Sequence, residues 1–280
     1  MRADLHVHTY YSDGLQSPED VAEISKNNGV ELISVTDHDT ALAYPQLFSC
    51  CEKRGIKAVY GIEISAYADG VRLHTLGYGI SPEHPTFKEY LKGLQEGSLT
   101  RTDDILRKLK KAGINIKLEE VLKHRKSEKA PVHAMYISRV GAQKGYAPNP
   151  FAFQKNYLSK GCTAYSGLCR PTPEEAVEII TECGGFASLA HPGRIELERE
   201  EIITLVKRLV GLGLKGIEGV YSAHTPQETA YFTEMAKEYG LSVTGGSDTH
   251  FKEGSKRIGT PVFDCGEELC EKLGLKNSNR

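Results

Sequence analysis

The chain has 280 residues, of which 39% are hydrophobic and 26% charged. That length supports one large α/β barrel or two ordinary domains, and the composition is that of a globular protein rather than a fibrous or disordered one. No apolar run approaches the ~18 residues that a membrane-crossing helix needs, which excludes a helical membrane protein. The formal net charge is −2, but residues 81–170 hold 17 Lys+Arg against 8 Asp+Glu, a net of +9, and the remainder holds 18 against 29, a net of −11. A basic stretch able to attract an anion is thus set in an acidic scaffold able to carry cations. Runs such as Arg107-Lys108 and Lys110-Lys111 also fit a solvated helix face. The charge split therefore supports an anionic partner without founding it.

Ala3 to Val7 reads as a first strand, on which Asp4, His6 and His8 fall on one face because alternate side chains point the same way. Ser17-Pro18-Glu19-Asp20 opens a helix that stops at Gly29, since Ser caps, Pro suits the first turn and acids favour the positive helix end. A second strand is expected over Glu31–Thr36, a helix from Leu42 to Arg54, and a third strand from Lys57 to Tyr60 running on to Glu63. A hairpin-like turn at Asp69-Gly70 leads into Val71–Tyr78. Strand and helix in alternation predict a parallel sheet with crossover helices. Residues 81–170 break the rhythm, with helices expected at Phe87–Ala112, Leu118–Lys126, Val132–Lys144 and Phe151–Leu158. They read as an inserted basic helical subdomain covering the active site, and 1–80 with 171–280 as the barrel. The alternation then resumes: a helix from Thr172, a strand at Phe186–Ala190, a helix over Glu198–Leu212, a strand at Gly216–Val220, a helix over Pro226–Tyr239 and a last strand at Leu241–Thr244. The tail Lys276–Arg280 is expected to fray.

Acids and imidazoles recur where these strands end. The first runs into His6-Val7-His8 and Asp13, the second into Asp37-His38-Asp39, and the third into Glu63. The fourth carries His74, a later one ends in His191-Pro192-Gly193-Arg194, another carries Glu218 and leads to His224, and the last ends in Asp248-Thr249-His250. In a parallel barrel the strand C-termini share one face, where the active site lies. A single histidine is more often solvated or satisfied in a core than ligating, but ten scattered at random would not select so many strand ends. His84 and His124 lack such context and read as surface residues. The set is imidazole and carboxylate without paired cysteines, which suits Mn²⁺, Zn²⁺ or Fe²⁺. It exceeds what one ion requires, so two or three divalent ions are expected, with Glu63 as the bridging carboxylate.

Four stretches, Asp4-Leu-His-Val-His8, Thr36-Asp-His-Asp39, Ala190-His-Pro192 and Gly246-Ser-Asp-Thr-His250, resemble the signature of the PHP (polymerase and histidinol phosphatase) superfamily of metal-dependent phosphoesterases. Ser12-Asp13-Gly14, Gly61-Ile-Glu-Ile-Ser65, His74-Thr-Leu-Gly-Tyr78 and His191-Pro-Gly-Arg194 are similar to its TrpH-like group. The resemblance implies a distorted (β/α)7 TIM-like barrel. It implies one ion on His6, His8, Glu63 and Asp248, a second on Glu63, His74 and His191, and a third on Asp13, His38 and His250. It also implies action on 3′,5′-nucleoside bisphosphates or the 5′ ends of short oligonucleotides. Asp4 is then expected to orient a histidine rather than to ligate. The group's Arg-Pro-His early in the insert stands here as Pro131-Val132-His133; the missing arginine puts one phosphate contact in doubt, while His133 is still expected to face the substrate. Tyr10 and Tyr11 stand where small residues are usual, and packing is their expected role.

Arg194, three residues after His191, is the expected phosphate clamp, with Arg170 and His224 as further substrate contacts. A small phosphomonoesterase such as a histidinol phosphatase is the enzymatic alternative, and a structural metal-binding PHP module the non-enzymatic one. The seven cysteines form no Cys-x-x-Cys pair, and the start of the chain lacks the apolar core of a signal peptide. Reduced thiols in a cytoplasmic protein are expected, with no membrane and no obligate protein partner.

Overall fold

A computed structural model describes residues 1–68, 70–250 and 257–275. The expected frayed tail and Asp69 of the hairpin turn lie outside the described residues.

Among the described residues, nine strands form two sheets. The first has the order β3-β2-β1-β9, from β1 (Arg2–Val7), β2 (Leu32–Val35), β3 (Lys57–Ala58) and β9 (Phe263–Asp264). The second has the order β4-β5-β6-β7-β8, from β4 (Gly61–Ala68), β5 (Val71–Tyr78), β6 (Phe186–Leu189), β7 (Leu214–Tyr221) and β8 (Ser242–Gly246). The sheets meet along two seams, each marked by one isolated parallel bridge, Val7 with Thr249 and His38 with Glu63. The strands thus remain two separate sheets, and the architecture is a mixed α/β fold.

The expected parallel sheet is instead mixed. The β4–β5 hairpin is antiparallel, and β6 then pairs antiparallel with β5. A tight turn reverses the chain without a crossover helix, so β5 runs against its neighbours on both sides. The strand expected from Lys57 through Glu63 also breaks in two. Its first part pairs with β2 and its second with β5, so the chain changes sheet between Ala58 and Gly61. The two-residue β9 was not expected, being too short to show a period.

Helix starts follow their sequence signals. Ser17 accepts from the Asp20 N–H at 3.0 Å, Thr172 from Glu175 at 3.2 Å and Thr225 from Glu228 at 3.2 Å. In each the acid returns the bond to the cap residue's own N–H, a reciprocal box typically adding about 1 kcal/mol. These caps open α1 (Pro18–Asn27), α7 (Pro173–Glu182) and α9 (Pro226–Glu238). With α2 (Tyr44–Glu52) and α8 (Arg199–Gly211) they pack apolar faces on the outside of the sheets. The intervening segment holds α3 (Pro85–Lys111), α4 (Leu118–Leu122), α5 (Ala134–Gln143) and α6 (Pro150–Phe153), followed by a π-helical turn at Gln154–Leu158. It has its own core of Ile105, Leu109, Val121, Tyr136, Ile137 and Phe153 with their neighbours. α4 ends four residues short of the expected Lys126.

Candidate metal centre

β1 delivers the first two imidazoles. Ala3, Leu5 and Val7 fill hydrophobic clusters on its outward face, which leaves Asp4 and His6 inward, with His8 just past the strand end. His6 and His8 are both fully buried. β8 closes against them because Gly246 has no side chain: a Cβ there would stand 2.4 Å from His6 Cβ. The chain then bends through Asp248 at φ 53°, and His191 at φ 26° and Asp39 at φ 57° hold equally unusual conformations. Left-handed backbone at non-glycine residues costs about 1–3 kcal/mol each and clusters at functional sites.

Glu63 is the hub. Its Oε2 lies 3.2 Å from His6 Nε2, 3.1 Å from His8 Nε2 and 3.2 Å from His38 Nδ1. Its Oε1 lies 2.6 Å from His74 Nδ1 and 2.9 Å from His191 Nε2. Asp248 Oδ1 is 3.4 Å from His6 and 3.1 Å from His8, and Asp13 Oδ1 is 3.2 Å from His250 Nε2 and 4.0 Å from His38 Nε2. Three groups result whose donor atoms lie within 4.8 Å of one another: His6, His8, Glu63 and Asp248; His8, Asp13, His38 and His250; and His38, Glu63 and His74. His191 joins the last through Glu63 and through His74, 3.2 Å away. All nine residues are thus brought together. His74 arrives from the middle of an antiparallel strand, opposite Ser65, and not from a strand end.

The electrostatics fit cations. Burial opposes ionisation of Glu63, yet His38, His74 and His6 hold its carboxyl well below the usual range. Asp13 and Asp248 are held down in the same way by surrounding imidazoles, His250 foremost. Burial also opposes charge on His6 and His8, but carboxylates prevail: His6 is raised well above the ordinary value and His8 to about 10. His38 and His74 are shifted the other way, burial outweighing the neighbouring carboxylates and pushing His74 down to about 4. Ionised carboxylates therefore gather protons where divalent cations would serve better. The buried Nδ1 of His191 has no hydrogen-bond partner.

Four acids outside the nine support this cluster. Glu218 on β7, fully buried, accepts from His6 Nδ1 at 2.9 Å and from the His191 N–H at 2.7 Å. It orients one imidazole and fixes the backbone of another. Asp4, expected to orient a histidine rather than to ligate, accepts the backbone N–H groups of His6, Ser247 and Gly259 at 3.3, 2.9 and 2.8 Å. Asp37 takes Thr9 N–H, Thr9 Oγ1 and Ser12 Oγ at 2.7, 2.6 and 2.6 Å, fixing the turn before Asp13. Asp39 accepts the Ser65 N–H at 2.8 Å.

The expected substrate contacts separate. His133 caps α5, its Nδ1 accepting the Met135 N–H at 3.3 Å, which leaves Nε2 to carry the proton. Its ring stacks on His38 at 4.9 Å and burial lowers its pKa to about 4. Arg194 is exposed in the turn after His191. Arg170 is half-buried, its guanidinium 6.0 Å from the Tyr67 ring centre. His224 has both ring nitrogens on backbone, with Nδ1 donating to Gly219 O and Nε2 accepting Gly193 N–H, each at 3.2 Å. That geometry props the 191–194 turn. Tyr11 packs into the core beside α1 and α2, and Tyr10 lies under Lys126 Nζ at 5.7 Å. His84 and His124 are half-buried rather than on the surface.

A PHP-domain model matches residues 4–118. The chain is 32% identical over 261 residues to the phosphoribosyl 1,2-cyclic phosphate 1,2-diphosphodiesterase of Eggerthella lenta, covering 91% of this chain and 96% of that protein. It is 28% identical to the 3′,5′-nucleoside bisphosphate phosphatase of Chromobacterium violaceum, over 91% of this chain and 90% of that one. It is 30% identical to the 5′-3′ exoribonuclease Rnm of Salmonella typhimurium, over 88% and 84%. A solved structure from Chromobacterium violaceum, an amidohydrolase with bound sulfate and no metal, superposes with a TM-score of 0.87 at 26% identity, over 98% of this chain and 96% of that one. The chain belongs to the PHP family of metal-dependent phosphoesterases, and it is a hydrolase acting on phosphoric ester bonds. No helix among the described residues is long and apolar enough to cross a membrane.

Proposed function

We propose that the protein hydrolyses phosphate esters of 3′,5′-nucleoside bisphosphates or of the 5′ ends of short oligonucleotides, at a centre of two or three divalent ions. The observation that carries this is Glu63, one carboxylate within 3.2 Å of ring nitrogens on His6, His8, His38, His74 and His191. A carboxylate so surrounded suits a bridge between cations. His6, His8 and Asp248 would hold one ion with it, His74 and His191 a second, and Asp13, His38 and His250 a third. Mn²⁺, Zn²⁺ and Fe²⁺ all suit such donors. When bound, such ions acidify water and neutralise charge on the phosphoryl group.

The chain's own groups then position the ester. Nε2–H of His133, beside His38, donates to a phosphoryl oxygen. Arg194 supplies a planar fork for the same group, and Arg170 a cation further out. His224 acts by holding the turn that carries His191 and Arg194. Residues 81–170 form a basic lid, supported by Arg139 Nη2 donating to Asp13 O at 2.7 Å and by Tyr136 donating to Ser12 O. The two sheets are read as the halves of a distorted (β/α)7 TIM-like barrel with added short strands, and the protein as cytoplasmic.

A second reading has one specific support: the Eggerthella relative, at 32% identity, is named for a cyclic phosphate. Both readings share a ribose bearing two phosphate groups. Phosphate release with Mn²⁺, Zn²⁺ or Fe²⁺ separates them, measured on a 3′,5′-bisphosphate, a ribose 1,2-cyclic phosphate, 5′-phosphorylated short RNA and histidinol phosphate. Turnover of histidinol phosphate above all others would overturn the proposal, as would turnover of none.

A further inference from the structure

We propose that Arg72, Arg101 and Arg170 form an anion subsite beside the metal centre that holds the second, non-scissile phosphate of a ribose carrying two phosphate groups. The assignment rests on the phosphoesterase reading above and deepens it by placing the part of the substrate that does not react.

Three separate elements supply the cations. Arg72 on β5 pairs with Tyr67 on β4, two rungs outward from the pair of Ser65 with His74. Side chains two apart on a strand share a face, so Arg72 stands about 6–7 Å along the strand from His74. That spacing is on the scale of two phosphates on one ribose. Arg170 comes from the loop before α7 and lies over the same Tyr67 ring. The Tyr67 N–H donates to Pro171 O at 2.7 Å, which fixes this loop against the Tyr67–Arg72 rung. Arg101 reaches the loop from α3, Nη1 standing 3.4 Å from Leu168 O and 3.5 Å from Cys169 O.

None of the three forms an ion pair among the described residues. Among the described residues no carboxylate oxygen lies within 4.0 Å of their guanidinium nitrogens. Arg101 is only 8% exposed and has two long carbonyl contacts, and Arg170 Nε is buried with no hydrogen-bond partner. Burying a guanidinium without a counter-charge is costly. Asp39 is the nearby acid whose field reaches Arg101 and Arg170, and its own carboxylate is engaged by the Ser65 N–H. One carboxylate against three cations leaves an excess of positive charge. Burial, then Arg101 and Arg72, push Arg170 down to about 9, the mark of a cation lacking an anion. A phosphate would satisfy the open donors and repay the repulsion. The patch borders the metal centre on the side of His133, whose ring feels both Arg72 and Arg170 and stacks on His38.

Two measurements test this. The first is the ratio of kcat/KM for a nucleoside 3′,5′-bisphosphate to that for a nucleoside monophosphate, with Mn²⁺-loaded protein. Arg72→Ala and Arg170→Ala should each lower the ratio about tenfold or more, the worth of a hydrogen bond to a charged group. Arg72 is exposed, so its replacement does not threaten folding. A ratio unchanged in both variants overturns the proposal. The second is calorimetric titration of metal-free protein with sulfate, where the double variant should bind about tenfold more weakly than the parent. Equal affinity overturns the proposal without reference to turnover. Failure of the parent to hydrolyse any ester would instead sink the phosphoesterase substrate reading, and the sulfate comparison would still decide the subsite.

Discussion

The space between the two sheets and the core of the helical segment are opposite solutions to burial. Between the sheets lie His6, His8, Asp13, His38, Glu63 and Glu218, all buried and all polar. In the helical segment lie Ile105, Leu109, Val121, Ile137, Phe153 and their apolar neighbours. The second arrangement stabilises itself, since each large side chain removed from water contributes about 1.5–3 kcal/mol. The first costs free energy unless cations balance it. Its persistence in a well-packed scaffold is the physical signature of a site rather than of a structural core.

The largest expected effect falls on the polar centre. His8→Ala should abolish metal-dependent phosphate release and deplete bound metal, with far-UV circular dichroism unchanged. Full activity in a metal-free preparation of this variant would refute the role given to the centre. Next comes Phe153→Ala, which should destabilise by about 3–5 kcal/mol in denaturant unfolding because its ring fills the space beside Gly141. A metal content that falls with this stability would show the two regions to be less independent than their cores suggest. Glu218→Gln should weaken metal affinity by about 10–100-fold while the outer packing is retained. Unaltered affinity would mean that the orientation of His6 is set elsewhere. The smallest effect is expected for Arg194→Ala, a rise of about tenfold in KM for a bisphosphate at constant metal content. An unchanged KM would remove Arg194 from the substrate.

Much of the site was legible because its residues come in short local runs. His6-Val7-His8, Asp37-His38-Asp39 and Asp248-Thr249-His250 each place ligand types at the end of a strand, and strand ends are marked by period and by the caps that follow. Glu218 carried no comparable signal. Its role depends on β7 lying beside β6, so that one carboxylate reaches both His6 and His191. The antiparallel β5 was hidden for a related reason, since the direction of a strand is a property of its neighbours and not of its residues.

By itself the sequence determined the donor chemistry: imidazoles and carboxylates at strand ends, helix starts with their caps, and a basic segment set apart from an acidic scaffold. Those are local properties, written within a few residues of one another. Only the tertiary structure decided that His38 joins the histidines expected around Glu63, that His224 holds backbone, and that Arg101 on α3 reaches the loop whose Arg170 lies over Tyr67, the partner of Arg72. These depend on register and on the approach of segments far apart in the chain, where a shift of one residue turns every side chain to the other face.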